Sequence, residues 1–374
     1  MKRDSLLFLH FKRSADGGEE TIVSQLISEY SEIPNFRTKV IFYNSPNWQI
    51  QLYNLVTYYI GVWRYIYIGL FILFFRIKYV HISNYFPLLN PIFLAGLRFF
   101  GVDVLVHFHN HKLTCPIGTH WNKGKICFKC VERKSAIEIF RNECKSHPLV
   151  RLIYFLNFTL DSFAFRILSK NITVLTLTSW YGSFVAERKG IKSKHLPNSI
   201  NPLIFDFRAN KSEEIFFVYV GRDSDSKGYS DFLEVASNFC NIKFVSIGPK
   251  SSTTGPMNLT EYGWLSREET YKILARSTCL IAPYKGLETF GMTILESLAL
   301  GVPVLTTDIY AVKELFSGRK GVYMYERGTS LSACIENYLD EIIDLSREDM
   351  YREFDNNYSQ EIQGRSLMKF WKSE

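Results

Sequence analysis

Two α/β domains, each a parallel sheet covered by helices on both faces, are what this sequence predicts, and three observations carry the expectation. The chain has 374 residues, more than one hydrophobic core usually serves. In each half, short runs of β-branched and aromatic residues alternate with amphipathic stretches, as parallel strands joined by crossover helices require. Near the middle, Leu196-Pro197-Asn198 stops any preceding helix and marks the joint.

The elements follow in order. Residues 6–10 read as a first strand, Asp16-Gly17-Gly18 as a turn, and 19–30 as a helix with Ile22, Val23, Leu26 and Ile27 on one face. Strands are expected at 40–43 and 79–83, a helix at 90–100 and a strand at 104–107. Residues 115–144 break the pattern as an irregular insertion holding Gly118, Gly124 and four cysteines. A helix at 149–168 and a strand at 173–177 complete the half. In the second half, strands are expected at 216–220, 243–247, 279–282 and 303–306, with helices at 229–239, 267–276 and 291–300. The predicted layout is therefore one domain over 1–196, a second over 197–350, and a C-terminal helical segment over 351–374.

Composition narrows the class. Hydrophobic residues make up 47% of the chain, so disorder is not expected, and aromatics reach 16%, crowded into the first half. The net charge of +7 is uneven: residues 1–200 carry 25 Lys/Arg against 12 Asp/Glu, and residues 201–374 carry 19 against 25. No acidic residue occurs between Glu32 and Asp103, where Arg37, Lys39, Arg64, Arg76, Lys78 and Arg98 all lie. A basic, aromatic half suits an anionic surface; a solvated basic face without a partner is the plainer alternative. The run at 6–10 is too short for a signal peptide. Residues 55–75 are the one candidate span, but Arg64 interrupts them, and 65–75 falls well short of the roughly 18 apolar residues a span needs. A buried or interfacial helix fits better. Seven cysteines, an odd number, do not suggest a secreted disulfide framework.

The strongest motif is Glu288-Thr289-Phe290-Gly291-Met292-Thr293-Ile294-Leu295-Glu296, which follows a strand and opens a helix. A helix N-terminus presents unpaired N–H groups and partial positive charge to a phosphate or a sugar hydroxyl. Gly291 lets the backbone come close to a ligand. Glu288 can accept from sugar hydroxyls, and Glu296, two turns into the helix, from both hydroxyls of a ribose. Taken singly, the two glutamates are ordinary helix residues. Gly221-Arg222-Asp223-Ser224-Asp225-Ser226-Lys227-Gly228 again lies between a strand and a helix. Arg222 and Lys227 can clamp a diphosphate, and a sugar-transfer site must above all neutralise that leaving group. A charged, solvated turn is the alternative. Asp223-Ser224-Asp225 has a metal-motif outline, but the neighbouring cations compete with any metal ion. Cys115, Cys127, Cys130 and Cys144, with His120 and His147 nearby, fit a tetrahedral structural zinc or, equally, four packed reduced thiols.

Together these motifs, with Gly17-Gly18 after the first strand, Tyr262-Gly263-Trp264-Leu265 before a helix, and Gly301-Val302-Pro303-Val304, resemble the glycogen-synthase-like, retaining glycosyltransferases of family 4, over residues 5–320. The resemblance implies a GT-B fold: two facing Rossmann-like domains with parallel sheets and an interdomain cleft. It also implies a nucleotide-diphosphate sugar donor and no metal required for catalysis. Carried over by position, Gly17 and Gly18 approach the donor phosphates, Leu265 and its neighbours hold the base, and Glu296 holds the ribose. Glu288 and the backbone of Phe290, Gly291 and Met292 hold the sugar, while Arg222 and Lys227 steady the diphosphate. His109, followed by Asn110, matches the histidine that faces the donor sugar; His107 and His111 flank it, and a lone histidine is more often structural. Glu19 departs from the small residue usual there and narrows the expected acceptor entrance. The cysteine insertion is similar to one in a subset of these enzymes.

The implied activity is hexosyl transfer to a lipid-linked saccharide acceptor in bacterial surface polysaccharide assembly, lipopolysaccharide, O-antigen or capsule. The implied place is the inner face of the cytoplasmic membrane, peripherally bound to its anionic surface, with no nucleic acid partner. Two alternatives compete: a nucleotide-sugar epimerase of the same fold, and a non-catalytic partner subunit. Retention of Glu288, Glu296, Arg222 and Lys227 speaks against the second.

Overall fold

The computed structural model describes residues 4–12, 18–32, 36–44, 62–83, 85–86, 90–168, 172–200, 202–248 and 255–358. Gly17, the first part of the candidate span at 55–61, and the last segment, 359–374 with Phe370 and Trp371, lie outside the described residues. The described chain divides into one compact unit of residues 4–120 and 128–198 and a second of 121–127 and 199–358.

The first unit runs β1 (Asp4–Lys12), α1 (Gly18–Glu32), β2 (Phe36–Asn44), α2 (Val62–Phe75), β3 (Tyr79–Ser83), α3 (Pro91–Gly96) and β4 (Asp103–Phe108). Its sheet, in the order β2-β1-β3-β4-β7-β8, is parallel throughout, with β7 at Thr173–Thr176 and β8 at Ser193–His195. Alternation sets the faces. Leu7, Leu9, Val80, Ile82, Val104, Val106 and Val174 point one way, into a core shared with Ile68, Ile72, Leu94 and Phe165. Burying each such side chain contributes roughly 1.5–3 kcal/mol. On the other face lie Phe8, His10, His81, Ser83 and His107, all buried.

The helix expected over 90–100 is in fact two pieces. Asn90 accepts from the N–H groups of Ile92 and Phe93 (3.0 and 3.1 Å), and Pro91 starts α3, but residues Leu97–Phe100 tighten into a 3-10 turn closed by left-handed Gly101. The insertion is less irregular than expected. It holds a hairpin, β5 (Trp121–Asn122) with β6 (Lys125–Ile126), and two single turns, α4 (Lys129–Glu132) and α5 (Glu138–Arg141). The helix α6 (Pro148–Leu168) follows, then α7 (Ser179–Lys189), capped by Thr178 and ended by left-handed Gly190. Helix α2 buries Arg64 and Ile72 and exposes Trp63, Tyr67, Leu70 and Phe74. Among the described residues no helix is long and apolar enough to cross a membrane.

The second unit carries β9 (Phe216–Val220), α8 (Tyr229–Asn238), β10 (Lys243–Ile247), β11 (Leu259–Glu261), α9 (Arg267–Leu274), β12 (Cys279–Ala282), α10 (Met292–Ala299), β13 (Val304–Thr307), α11 (Tyr310–Phe316), β14 (Val322–Tyr325), α12 (Leu331–Asp344) and α13 (Arg347–Tyr358). The sheet order is β11-β10-β9-β12-β13-β14, again all parallel. Strand order reverses between β9 and β12, and ligands of such sheets bind outside the strand ends at that reversal. Helix α9 starts on a reciprocal capping box between Ser266 and Glu269. Arg347 of α13 donates to the carbonyls of Ala209 (3.0 Å) and Ser277 (2.7 Å), fastening that helix to its own unit.

Candidate active site

The two loops singled out in the sequence leave the carboxyl ends of β9 and β12, on either side of the reversal. After β9 the chain makes a 3-10 turn at Asp225–Lys227 and turns sharply at Gly228, whose φ is +74°. A Cβ there would meet the carbonyl oxygen of Pro283 at 1.8 Å, so only glycine lets the two loops come together. Lys285 and Gly286 both donate backbone hydrogen bonds to the Ser226 carbonyl (3.1 and 2.8 Å), locking one loop to the other.

The consequence is an ion pair between the motifs: Lys227 Nζ donates to Glu288. The same ammonium lies 4.8 Å from the centre of the Tyr284 ring. Arg222 is exposed at the mouth of its loop, and its carbonyl accepts from the Tyr219 hydroxyl (2.7 Å). Lys285 faces Asp231 (2.5 Å) and Asp225 (3.6 Å), so Asp225 already has a cation beside it. Gly291 caps α10 at φ +89°, with Phe290 buried beneath it and Met292 half-buried. Glu296 accepts from the Tyr271 hydroxyl (3.0 Å). Burial raises its carboxyl pKa, and Arg267 and Tyr271 draw it back down. Leu265, half-buried, comes just before α9, the helix that carries Tyr271. Tyr271 and Arg267 were not singled out in the sequence; their signal was only their place on the helix after the Tyr262–Leu265 loop.

In the first unit, Gly18 begins α1 and His109 follows β4. Both ring nitrogens of His109 are buried without a hydrogen-bond partner among the described residues. The neighbouring Asn110 accepts from the Lys112 N–H (3.0 Å) and shapes the loop. His111 packs edge-on to Tyr181 at 4.7 Å.

Of the two readings open for Cys115, Cys127, Cys130 and Cys144, a structural zinc does not fit and packed thiols do. Among the described residues no three His, Cys, Asp or Glu side chains gather as a metal ion needs. Cys115 and Cys130 are buried, Cys127 and Cys144 half-buried. Burial pushes the Cys115 thiol pKa up, and backbone N–H groups of its own turn oppose the rise. Rings hold the insertion instead: His120 packs on Phe128 at 4.9 Å, and Phe128 on Phe184 at 5.4 Å. Thr114 and His120 Nε2 share a 2.7 Å hydrogen bond. Buried Glu138 accepts from Arg133 and Arg141 at 3.0 and 2.9 Å.

Residues 202–360, which include both loops, match the family model for glycosyl transferases group 1. This segment is a glycosyl transferases group 1 domain. Curated relatives of the chain include an uncharacterized 41.2 kDa protein in the cps region of Klebsiella pneumoniae, 24% identical over 41% of this chain and 47% of that protein. Another is a phosphatidyl-myo-inositol mannosyltransferase of Propionibacterium freudenreichii, 30% identical over 32% of this chain and 33% of its own length. The chain thus spans between a third and a half of these relatives. Among solved structures, sucrose-phosphate synthase from Thermosynechococcus elongatus superposes with a TM-score of 0.68 over 99% of both chains at 11% identity. HepE of Anabaena, in complex with UDP-glucose, does so at 0.66, over 99% of this chain and 100% of its own, at 10% identity. At such identities the likeness shows the fold: two Rossmann-like parallel-sheet units of the GT-B class.

Proposed function

We propose that this protein is a retaining glycosyltransferase that moves a hexose from a nucleotide-diphosphate sugar to a lipid-linked saccharide acceptor. Its setting is bacterial surface polysaccharide assembly at the inner face of the cytoplasmic membrane. The observation that carries the reading is the Lys227–Glu288 pair at the strand reversal, beside the open N-terminus of α10. A Lys held by a single carboxylate is a cation that a diphosphate can recruit, since two phosphate charges outcompete one carboxylate.

When donor arrives, Lys227 turns to the diphosphate with Arg222, and Glu288 is released to accept from sugar hydroxyls. The backbone of Phe290, Gly291 and Met292 contributes N–H groups, and Gly18 at the start of α1 does the same for phosphate. Glu296 accepts from the ribose, and Leu265 packs at the base. As the anomeric bond breaks, negative charge grows on the diphosphate, and Arg222 and Lys227 stabilise it more than they stabilise bound donor. His109 faces the sugar as a neutral imidazole. The chemistry calls on no metal ion. The uncharacterized Klebsiella relative in a cps region and the mannosyltransferase support the polysaccharide and lipid side of the reading.

Labelled nucleotide sugars incubated with the protein and a membrane lipid extract test it, with and without chelator. Radiolabel in the lipid fraction is expected in both. Conversion of the donor to an epimer without any acceptor would replace this reading with the epimerase. Absence of turnover with every donor, alongside intact nucleotide binding, would replace it with a non-catalytic subunit.

A further inference from the structure

On the face of the first sheet opposite its apolar core, buried imidazoles form a file across adjacent strands. His81 of β3 and His107 of β4 are 0% and 1% exposed. Their rings lie 5.6 Å apart, and His107 lies 4.2 Å from His109, each pair tilted by 45°. His107 pairs in register with Ser83, so its ring stands one pleat beyond His81 and directly under the loop that His109 begins. At the far end the file is anchored. The Tyr30 hydroxyl of α1 shares a 2.6 Å hydrogen bond with His81 Nδ1, and the Phe8 ring packs on His81 at 4.9 Å. Beside it, His10 Nδ1 meets the Ser83 carbonyl at 3.1 Å.

At the other end, neither His109 nor the His107 ring beneath it has a hydrogen-bond partner at either ring nitrogen among the described residues. A ring whose two nitrogens are both unpartnered is oriented by packing alone, and His107 is the ring it packs on. Leaving buried polar atoms unsatisfied is costly, and a catalytic role is one of the few reasons a folded protein keeps them. We propose that His107 is a positioning residue for His109: its imidazole is the floor that fixes the His109 ring and leaves both nitrogens open to the reacting sugar. This rests on the reading of His109 as the histidine of the transfer site.

The electrostatics agree. Burial lowers the pKa of His109 well below the ordinary imidazole value, and His107 and then His10 lower it further. Burial likewise lowers His107, with His81 and His195 of β8 adding to the effect and the Leu196 carbonyl opposing it. His81, lowered to about 3 by burial and by His109, stays neutral throughout. The rings facing His109 are therefore buried, neutral imidazoles, and Tyr30 fixes the base of the file.

The test uses the full chain and the nucleotide sugar that the donor screen identifies. His107→Ala removes the floor and should lower kcat on the order of 10- to 100-fold with KM for the donor unchanged, the usual cost of misplacing a catalytic group. His107→Phe restores a ring of similar size and should recover kcat at pH 8. His107→Leu, which fills much of the space without a ring, should leave kcat low. If His107→Ala keeps full kcat, or His107→Phe recovers no more than His107→Leu does, while His109→Ala abolishes transfer, the positioning role is overturned. If His109→Ala itself turns over normally, the reading of His109 fails instead. Should His107→Ala not fold, the comparison of His107→Phe with His107→Leu decides alone.

Discussion

Lys227 reaches Glu288 across the strand reversal of the second sheet, joining two loops whose residues are 61 positions apart. Neither side chain is fully buried, at 25% and 16% exposed, so the pair contributes little to stability and stays exchangeable. A stored pair of this kind makes a definite kinetic prediction. Lys227→Ala and Arg222→Ala should each lower turnover on the order of 100-fold while changing donor affinity much less, because charge on the diphosphate peaks as the sugar departs. Steady-state kinetics would show it. A rise in KM with kcat untouched would mean that the cations bind ground state and transition state alike.

Glu296 should prove to be a nucleotide residue. Its carboxylate already accepts from Tyr271 and lies near Arg267, an arrangement that fixes its direction on the inner side of α10. Replacing it by Ala removes two acceptor sites for a ribose and should weaken nucleoside diphosphate binding by roughly 1–3 kcal/mol. Calorimetry with the diphosphate alone would read the loss. Unchanged affinity would take Glu296 out of the site.

Much of the fold around these loops was legible in the sequence because the signals were local. A strand followed by Gly221 and a charged loop, or by Pro283 and a glycine-opened helix, needs no distant partner to be read. The Lys227–Glu288 pair was not legible, since it depends on β9 and β12 being neighbours, which only the sheet order shows. The cysteines left two readings open for a related reason: Cys127-Phe128-Lys129-Cys130 has the spacing of a metal knuckle, but whether two more thiols converge on it is a property of the fold, and among the described residues they do not. The C-terminal elements β14 and α12 went unread although Leu331, Cys334, Ile335 and Ile342 carry the ordinary helical spacing of a buried face. Arg64, placed among the surface cations, is buried at 1% exposed because it falls on the inner face of α2.

Gly228→Ala should separate loop geometry from charge. The substitution puts a methyl group against the Pro283 carbonyl and forces an L-residue to φ +74°, so both loops must move. A loss of about 1–3 kcal/mol in urea unfolding is expected, together with weakened diphosphate binding, although no charged group has changed. Full stability with full affinity would show that the two loops are not interlocked.

Acid should destabilise the first unit through its buried histidines. Burial lowers the pKa values of His81, His107, His109 and His111 below the 6.5 of an exposed imidazole. On unfolding, each ring becomes free to protonate, so protons favour the unfolded chain as pH falls. The stability in question is fully present above about pH 6.5 and is lost as pH drops from there toward the folded values, about 3 for His81. At pH 5.5 each ring costs roughly 1 kcal/mol. Urea melts at pH 7.5 and 5.5 should differ accordingly, and His111→Phe, which keeps the ring against Tyr181, should shrink the difference by one histidine's share. Parallel behaviour of the variant and the parent would show that His111 titrates normally.

The outward face of α2 makes the riskiest prediction. Trp63, Tyr67, Leu70 and Phe74 are exposed along it, and exposed Arg37, Lys39, Arg76, Lys78 and Arg98 surround it in the first unit's sequence without one acidic residue from 33 to 102. Lys39 Nζ lies 4.7 Å from the Phe75 ring centre, at the rim of that face. If anionic lipid is what meets it, the protein should bind vesicles containing acidic lipid and detach as salt rises. Each Lys or Arg near such a surface contributes about 1 kcal/mol, with the attraction fading over a Debye length of about 8 Å. Reversing Arg76, Lys78 and Arg98 to Glu should therefore weaken vesicle binding on the order of 100-fold or more, while transfer to a short, water-soluble acceptor analogue survives. Arg64 is left alone, because a buried charge reversed in the core of α2 would unfold the unit rather than test its surface. Leu70→Asp with Phe74→Asp should remove the remaining, salt-insensitive part of the binding, which comes from apolar burial. Equal binding to neutral and acidic vesicles would defeat the electrostatic half of this account, and binding unmoved by Leu70→Asp and Phe74→Asp would defeat the apolar half.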